Sequence, residues 1–201
     1  MKALHRADLF GWSSFDAARN VDFHGLLWVR PEGNILVDPM PLSAHDRAHL
    51  EELGGAAWIV VTNSDHLRAT EEISGWTEAR IAAPEGESAT WVGRVDRWLA
   101  DGDELVPGLA VLTMVGSKTP GELVLVLEET TLITGDLVRA HRAGSLMMLP
   151  DAKLKDRAAA VASIVALAAL PGVETVLVGD GWHVFGDGAA QLQALAERVS
   201  R

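Results

Sequence analysis

Four stretches of this chain end an apolar run in small or polar residues and then an ionisable side chain: VTNSDH (61–66), VGSKTPGE (115–122), ITGDLV (133–138) and VLVGDGWH (176–183). They set Asp65 with His66, Lys118, Asp136, and Asp180 with His183 at what read as strand ends. A carboxylate beside an imidazole can move protons or hold a divalent cation. A lysine can stabilise a developing oxyanion or grip a carboxylate or phosphate. With 0 Cys, any metal must be held by His and carboxylates, and neither a disulfide nor a thiolate nucleophile is available. Local structure offers a blander use for each. Asp65 or Ser64 suits the N-cap of a following helix, Lys118, Asp136 and Asp180 suit turns, and His183 beside Trp182 suits a histidine making one hydrogen bond.

The elements that must position these residues follow from pattern. GLLWVR (25–30) and NILVDP (34–39) flank Pro31-Glu32-Gly33 and predict a β-hairpin, with Asp38 closing it as a structural residue. Ser43 is an N-cap for a short amphipathic helix that stops at Gly54-Gly55. AAWIVVT (56–62) reads as a buried strand, and helix formers run from Leu67 to Ile73. ARIAAP (79–84) is a strand, DGDELVPGLAVLTMVG (101–116) a turn leading into another, and GELVLVLEETTLITGDLV (121–138) a hairpin turning at Glu128-Glu129-Thr130. Residues 156–170 form an Ala-rich helix closed by Pro171-Gly172, ETVLVGDG (174–181) a strand, and 188–199 a last helix. The N-terminal GWSSF lacks periodicity, which suggests that Trp12 and Phe15 fold over the mouth of a pocket. His24, His45, His49 and His141 carry no spacing signal.

Composition sets the limits. A chain of 201 residues with 48% hydrophobic side chains can bury a large core as a single domain, 1–201. A net charge of -11 with no Lys/Arg cluster excludes nucleic acid and anionic membrane surfaces as natural partners, leaving a small-molecule substrate or ligand. No apolar run is long enough to cross a bilayer or to act as a secretory h-region, so the expected address is cytoplasmic. The oligomeric state is not legible.

The order of these segments resembles the metallo-β-lactamase superfamily. That family follows a strand with THxHxDH, then a strand with GHTPG, a hairpin ending in GD, and a strand ending in GHG. Here KTPGE (118–122) and TGD (134–136) are the most specific matches, and the agreement extends from NILVDP through the GDEL turn at 102–105 to the last strand. The resemblance implies an α/β (α+β) fold, a four-layer αββα sandwich of two mixed sheets, with the four strand ends meeting in one cleft.

The departures fall on the metal positions. With Thr62 aligned to the motif's Thr and no gap, its three His and its Asp fall on Asn63, Asp65, Arg68 and Leu67. Lys118 stands where GHTPG has its His and Asp180 where GHG has its; only Asp136, which bridges two metals in the family, is kept. If two residues are deleted instead, Asp65-His66 match the motif's own Asp-His, and Asp65, His66, Asp136 and Asp180 outline one of the family's two metal sites while Lys118 abolishes the other. Removing two divalent ions would leave Asp65, Asp136 and Asp180 repelling one another, so Lys118 and Arg68 read as cations in the place of metal. This disfavours dinuclear zinc, since lysine is a poor zinc ligand, and leaves one divalent ion as the expected cofactor if any is bound.

Three functions are open on these residues. The first is a hydrolase with an altered site acting on an ester, thioester, amide or phosphoester, with Asp65, His66, Lys118, Asp136 and Asp180 catalytic and Asn63, Arg68 and His183 holding substrate. The second is a metal-free pseudoenzyme that binds an anionic small molecule through Lys118 and Arg68. The third is a structural or partner-binding relic.

Overall fold

The computed structural model describes all 201 residues. Its first half contains β1 (Lys2–Ala3), β2 (Leu9–Asp16), β3 (Val21–Trp28), β4 (Ile35–Val37), α1 (Ala44–Glu52), β5 (Trp58–Val60), α2 (Thr70–Thr77), β6 (Arg80–Pro84) and β7 (Arg97–Leu99). These seven strands form one sheet in chain order, antiparallel from β1 to β4 and parallel from β4 to β7. The second half contains β8 (Glu104–Val106), β9 (Leu109–Thr113), β10 (Leu123–Leu127), β11 (Thr131–Thr134), β12 (Val138–Arg142), β13 (Ser145–Met148), α3 (Arg157–Ala168), β14 (Thr175–Val178) and α4 (Gly188–Val199). Its five-stranded sheet runs β14-β11-β10-β9-β8, with β14 parallel to β11 and the rest antiparallel. β12 and β13 pair apart as a two-stranded hairpin.

Period-two burial stacks the layers. Leu26, Ile35, Val37, Trp58 and Val60 of the first sheet pack against Val111, Leu123, Leu125, Ile133 and Leu177 of the second. Their neighbours Leu27, Leu36, Ile59 and Ile81 turn outward onto Leu50 of α1 and Ile73 of α2. On the other outer face Val124, Leu132, Val176 and Val178 meet Ile164 and Leu167 of α3 and Leu192 and Leu195 of α4. A strand buried on both sides needs apolar residues at consecutive positions, which is why WIV, LVLVL and TVLV carry no polar alternation. The result is the expected αββα sandwich. No helix is long and apolar enough to cross a membrane.

Local signals hold at the expected positions. The Ser43 and Asp156 side chains accept from Asp46 N–H and Ala159 N–H at the starts of α1 and α3. Glu128 and Glu129 take φ of 46° and 62°, so the β10–β11 turn is left-handed without glycine. Two expectations are corrected. The GWSSF segment is the middle of β2, paired along its whole length with β3, and Trp12 is buried with its indole N–H donating to the Met40 carbonyl. The helix after His66 begins only at Thr70, because Arg68 lies at φ 40°, and no Asp65 or Ser64 side chain caps it.

Candidate functional site

The four strand ends come together at one edge of the sandwich. β5 leads to Asn63 and a single turn of 3-10 helix, Ser64–His66; the β9–β10 connection carries Lys118; Asp136 follows the end of β11 and Asp180 the end of β14. They border a cavity of about 730 Å³, whose wall also includes Arg19, Phe23, Arg68, Arg139, His141, Met147 and Lys153. That volume suits a ligand of metabolite size. The β12–β13 hairpin supplies Arg139, His141 and Met147 to its wall.

His66 is held between two carboxylates. Its Nδ1 lies 2.8 Å from Asp38 and its Nε2 3.6 Å from Asp136. Asp38 is held by the Thr62 amide and hydroxyl, which donate to its two oxygens at 2.7 and 2.6 Å. The ring has room only because residue 179 is glycine, where a Cβ would stand 2.9 Å from His66 Cε1. Burial opposes a charge on this imidazole, but Asp38 and Asp136 on its two sides overcome it and raise its pKa to about 9. His66 is therefore an imidazolium at neutral pH.

Lys118 and Arg139 complete a buried charge network. The Lys118 ammonium is 2.7 Å from both Asp65 and Asp136. The Arg139 guanidinium is 3.0 Å from both Asp136 and Asp180, and His141 Nε2 is 2.8 Å from Asp180. Burial would raise the Asp136 pKa, but His66 and Lys118 hold it well below the usual carboxylate range. Lys118 is pulled the other way: burial opposes its charge, and Asp136 and Asp65 raise its pKa. Arg68 donates to the carbonyls of Asp38 at 2.9 Å and of His24, tying β3 to the β4 loop while it lines the cavity.

Beneath this surface Glu122 is fully buried, accepting from Ser117 Oγ and from the Leu137 amide at 2.7 Å. Burial and the nearby Asp136 push its pKa up to about 7. Asn63 is buried too; its Oδ1 accepts from the Asp65 amide, and its Nδ2 has no partner.

Of the residues singled out from sequence, Asp65, His66, Arg68, Lys118, Asp136 and Asp180 share the cavity wall. Asn63 lies behind it. His183 does not join them: its ring packs 4.2 Å from that of His24 and its Nδ1 accepts from the Val178 amide, beside a separate groove rimmed by Phe15, Trp182 and Phe185. Asp65 and His66 both line the cavity. Sequence reading missed Asp38, Arg139 and His141. Asp38 had a usable signal, an acid at a strand end beside the Asp65-His66 loop, whereas Arg139 and His141 had none.

The side chains do not fit a metal. No three His, Asp or Glu side chains are placed together to hold one. The set His66, Asp136 and Asp180, expected if a single ion were bound, is not assembled: the Arg139 guanidinium stands between the two carboxylates, and His66 is 3.6 Å from Asp136 with its other nitrogen on Asp38.

The metallo-beta-lactamase superfamily model matches residues 1–199. A search of curated proteins finds no match. Among solved structures, the chain is similar to a metallo-beta-lactamase from Pontibacter korlensis at 18% identity and a TM-score of 0.77, over 99% of this chain and 98% of that one. It is similar to the metallo-beta-lactamase of Erythrobacter litoralis at 14% identity and 0.71, over 98% and 91%. It is also similar to FIM-1 from Pseudomonas aeruginosa, solved in a mono-zinc form, at 16% identity and 0.72, over 96% and 91%. Identities this low speak for the fold alone, but the family model spans nearly every residue, and the chain belongs to the metallo-beta-lactamase superfamily.

Proposed function

We propose that this chain binds a small molecule bearing a carboxylate or phosphate, in a cleft where side-chain cations take the place of metal ions. The charge count of the cavity wall carries the reading. Arg19, Arg68, Lys118, Arg139 and Lys153 face Asp65, Asp136 and Asp180, five cations to three anions, in a chain whose net charge is -11. The His66 imidazolium adds one more positive charge, which Asp38 behind it offsets. A concave site with excess positive charge attracts anions by charge and by hydrogen bonding.

Hydrolysis of an ester, thioester, amide or phosphoester is the second reading, and superfamily membership is what favours it. A general base works best with a pKa near the working pH. Here the Asp136 carboxylate is held far below that range and His66 is already protonated. Glu122, whose pKa does lie near 7, is sealed under Ser117 and the Leu137 amide. Binding without turnover is therefore our first reading.

Calorimetry with inorganic phosphate, pyrophosphate and citrate tests it, beside turnover assays with p-nitrophenyl acetate and p-nitrophenyl phosphate. At least one anion should bind, more weakly as salt is raised, and about tenfold more weakly to the double variant Arg19→Gln/Lys153→Gln, whose charges sit at the exposed rim. Absence of anion binding together with turnover of either ester would overturn the proposal in favour of hydrolysis.

A further inference from the structure

The two carboxylates on Lys118 are unequal. Asp136 has a side chain only 5% exposed and also faces Arg139 and His66, so parting it from Lys118 would strand charge in a buried site. The Asp65 side chain is 55% exposed, and its carboxylate has no partner besides Lys118. Its backbone is anchored, since the Asp65 amide donates to Asn63 Oδ1 within the 3-10 turn, so the carboxylate can leave by side-chain rotation alone. Released, it would simply return to water. An exposed ion pair of this kind is worth little and exchanges readily.

We infer that Asp65 is an internal stand-in for the ligand's anionic group, occupying the solvent side of the Lys118 ammonium until a carboxylate or phosphate of the ligand displaces it. This rests on the anion-binding reading above and names the place where the anion sits. Lys118 and Arg139 approach the two oxygens of one Asp136 carboxylate, 2.7 Å and 3.0 Å away, so they stand side by side over the same floor. An anion in Asp65's position meets the ammonium directly, with the guanidinium and the His141 imidazole next along the wall. Affinity is then lowered by the fraction of molecules in which Asp65 holds Lys118, because only the open form binds. Asp65 sets which anions enter: those able to outcompete a lone exposed carboxylate, which favours a phosphate or a multiply charged carboxylate over a weak monoanion.

Asp65→Asn tests this directly, with Asp151→Asn as the control for a lost negative charge near the rim. Asp151 pairs with Arg157 outside the cavity. Pyrophosphate and citrate are titrated calorimetrically into wild type, both single variants and Asp65→Asn/Lys118→Gln, with melting temperature confirming that each is folded. The expected result is about fivefold or greater tightening in Asp65→Asn, at most twofold in Asp151→Asn, and loss of the gain in the double variant. Equal tightening in the two single variants, or weaker binding in Asp65→Asn, would overturn the stand-in role while leaving the anion cleft in place. Binding by neither wild type nor Asp65→Asn would remove both.

Discussion

Two half- or fully buried histidines at the same edge of the sandwich are driven to opposite protonation states. His66 lies between Asp38 and Asp136, which raise its pKa to about 9 against the effect of burial. His183, about as far along its own strand-end loop, sits against His24 and Phe185 with no carboxylate in contact. Burial, reinforced by the neighbouring His24 and His5 imidazoles, pushes its pKa down to about 3. The same side chain is an imidazolium in the cleft and a neutral ring in the groove. Burial alone decides neither; the partners do. The buried acids of this cleft are held by a protonated imidazole and by lysine and arginine side chains.

This contrast fails first if the cleft's cations are dispensable. Arg139→Met removes the guanidinium shared by Asp136 and Asp180, both about 95% shielded, and leaves two buried carboxylates without their common partner. We expect a loss of about 3–5 kcal/mol in urea unfolding, the usual result of removing one member of a buried pair. A variant as stable as wild type would show that the network is not holding its carboxylates.

A pH series sharpens the comparison at His66. Its folded pKa is raised from 6.5 to about 9, so the stabilisation is fully present below pH 6.5 and is lost as pH rises through 9. Wild type should lose up to about 3 kcal/mol over that window, and His66→Gln should lose much less. Glu122, raised from 4.5 to about 7, works in the same direction at lower pH: the proton it keeps when folded favours the native state most below pH 4.5, and that gain disappears by pH 7. Unfolding curves at pH 6.5, 8 and 9 for both proteins separate the His66 contribution. Parallel slopes in wild type and variant would mean that His66 is neutral in the folded protein.

The smallest effect belongs to His183. A depressed folded pKa contributes stability that is present above the unfolded value of 6.5 and lost as pH falls toward about 3. His183→Gln keeps a side-chain acceptor near the Val178 amide, so at pH 7 the change should stay within about 1 kcal/mol. Between pH 6.5 and 4.5 the variant should lose less stability than wild type. A steeper acid loss in the variant would place a charge on His183 and erase the contrast with His66.

Much of this was legible in the chain itself. Apolar runs long enough to bury on both faces, Ser43 and Asp156 as caps, and the turns at Pro31-Glu32-Gly33 and Glu128-Glu129-Thr130 are local features, and local chemistry is enough to place them. The strand-end acids and Lys118 were legible for the same reason, since a strand that stops in a glycine and an ionisable group does so whatever it packs against. Three things depended on contacts far apart in sequence. Asp38 serves His66 only because β4 and β5 lie side by side, with Asp38 turned at φ 46° toward Thr62. Arg139, three residues from Asp136, also reaches the distant Asp180 because β12 leaves the main sheet and folds as a separate hairpin beside the cleft, which nothing in VRAHR announces. Asp180 and His183 part company because Gly181, at φ 95° and packed where a Cβ would meet the Ala140 carbonyl at 2.1 Å, turns the chain between them. Residue type determined which groups could carry charge. Which of them meet, and so which keep a proton, was decided by the tertiary structure, because Coulomb energies and desolvation depend on separations of a few ångströms that sequence spacing does not specify.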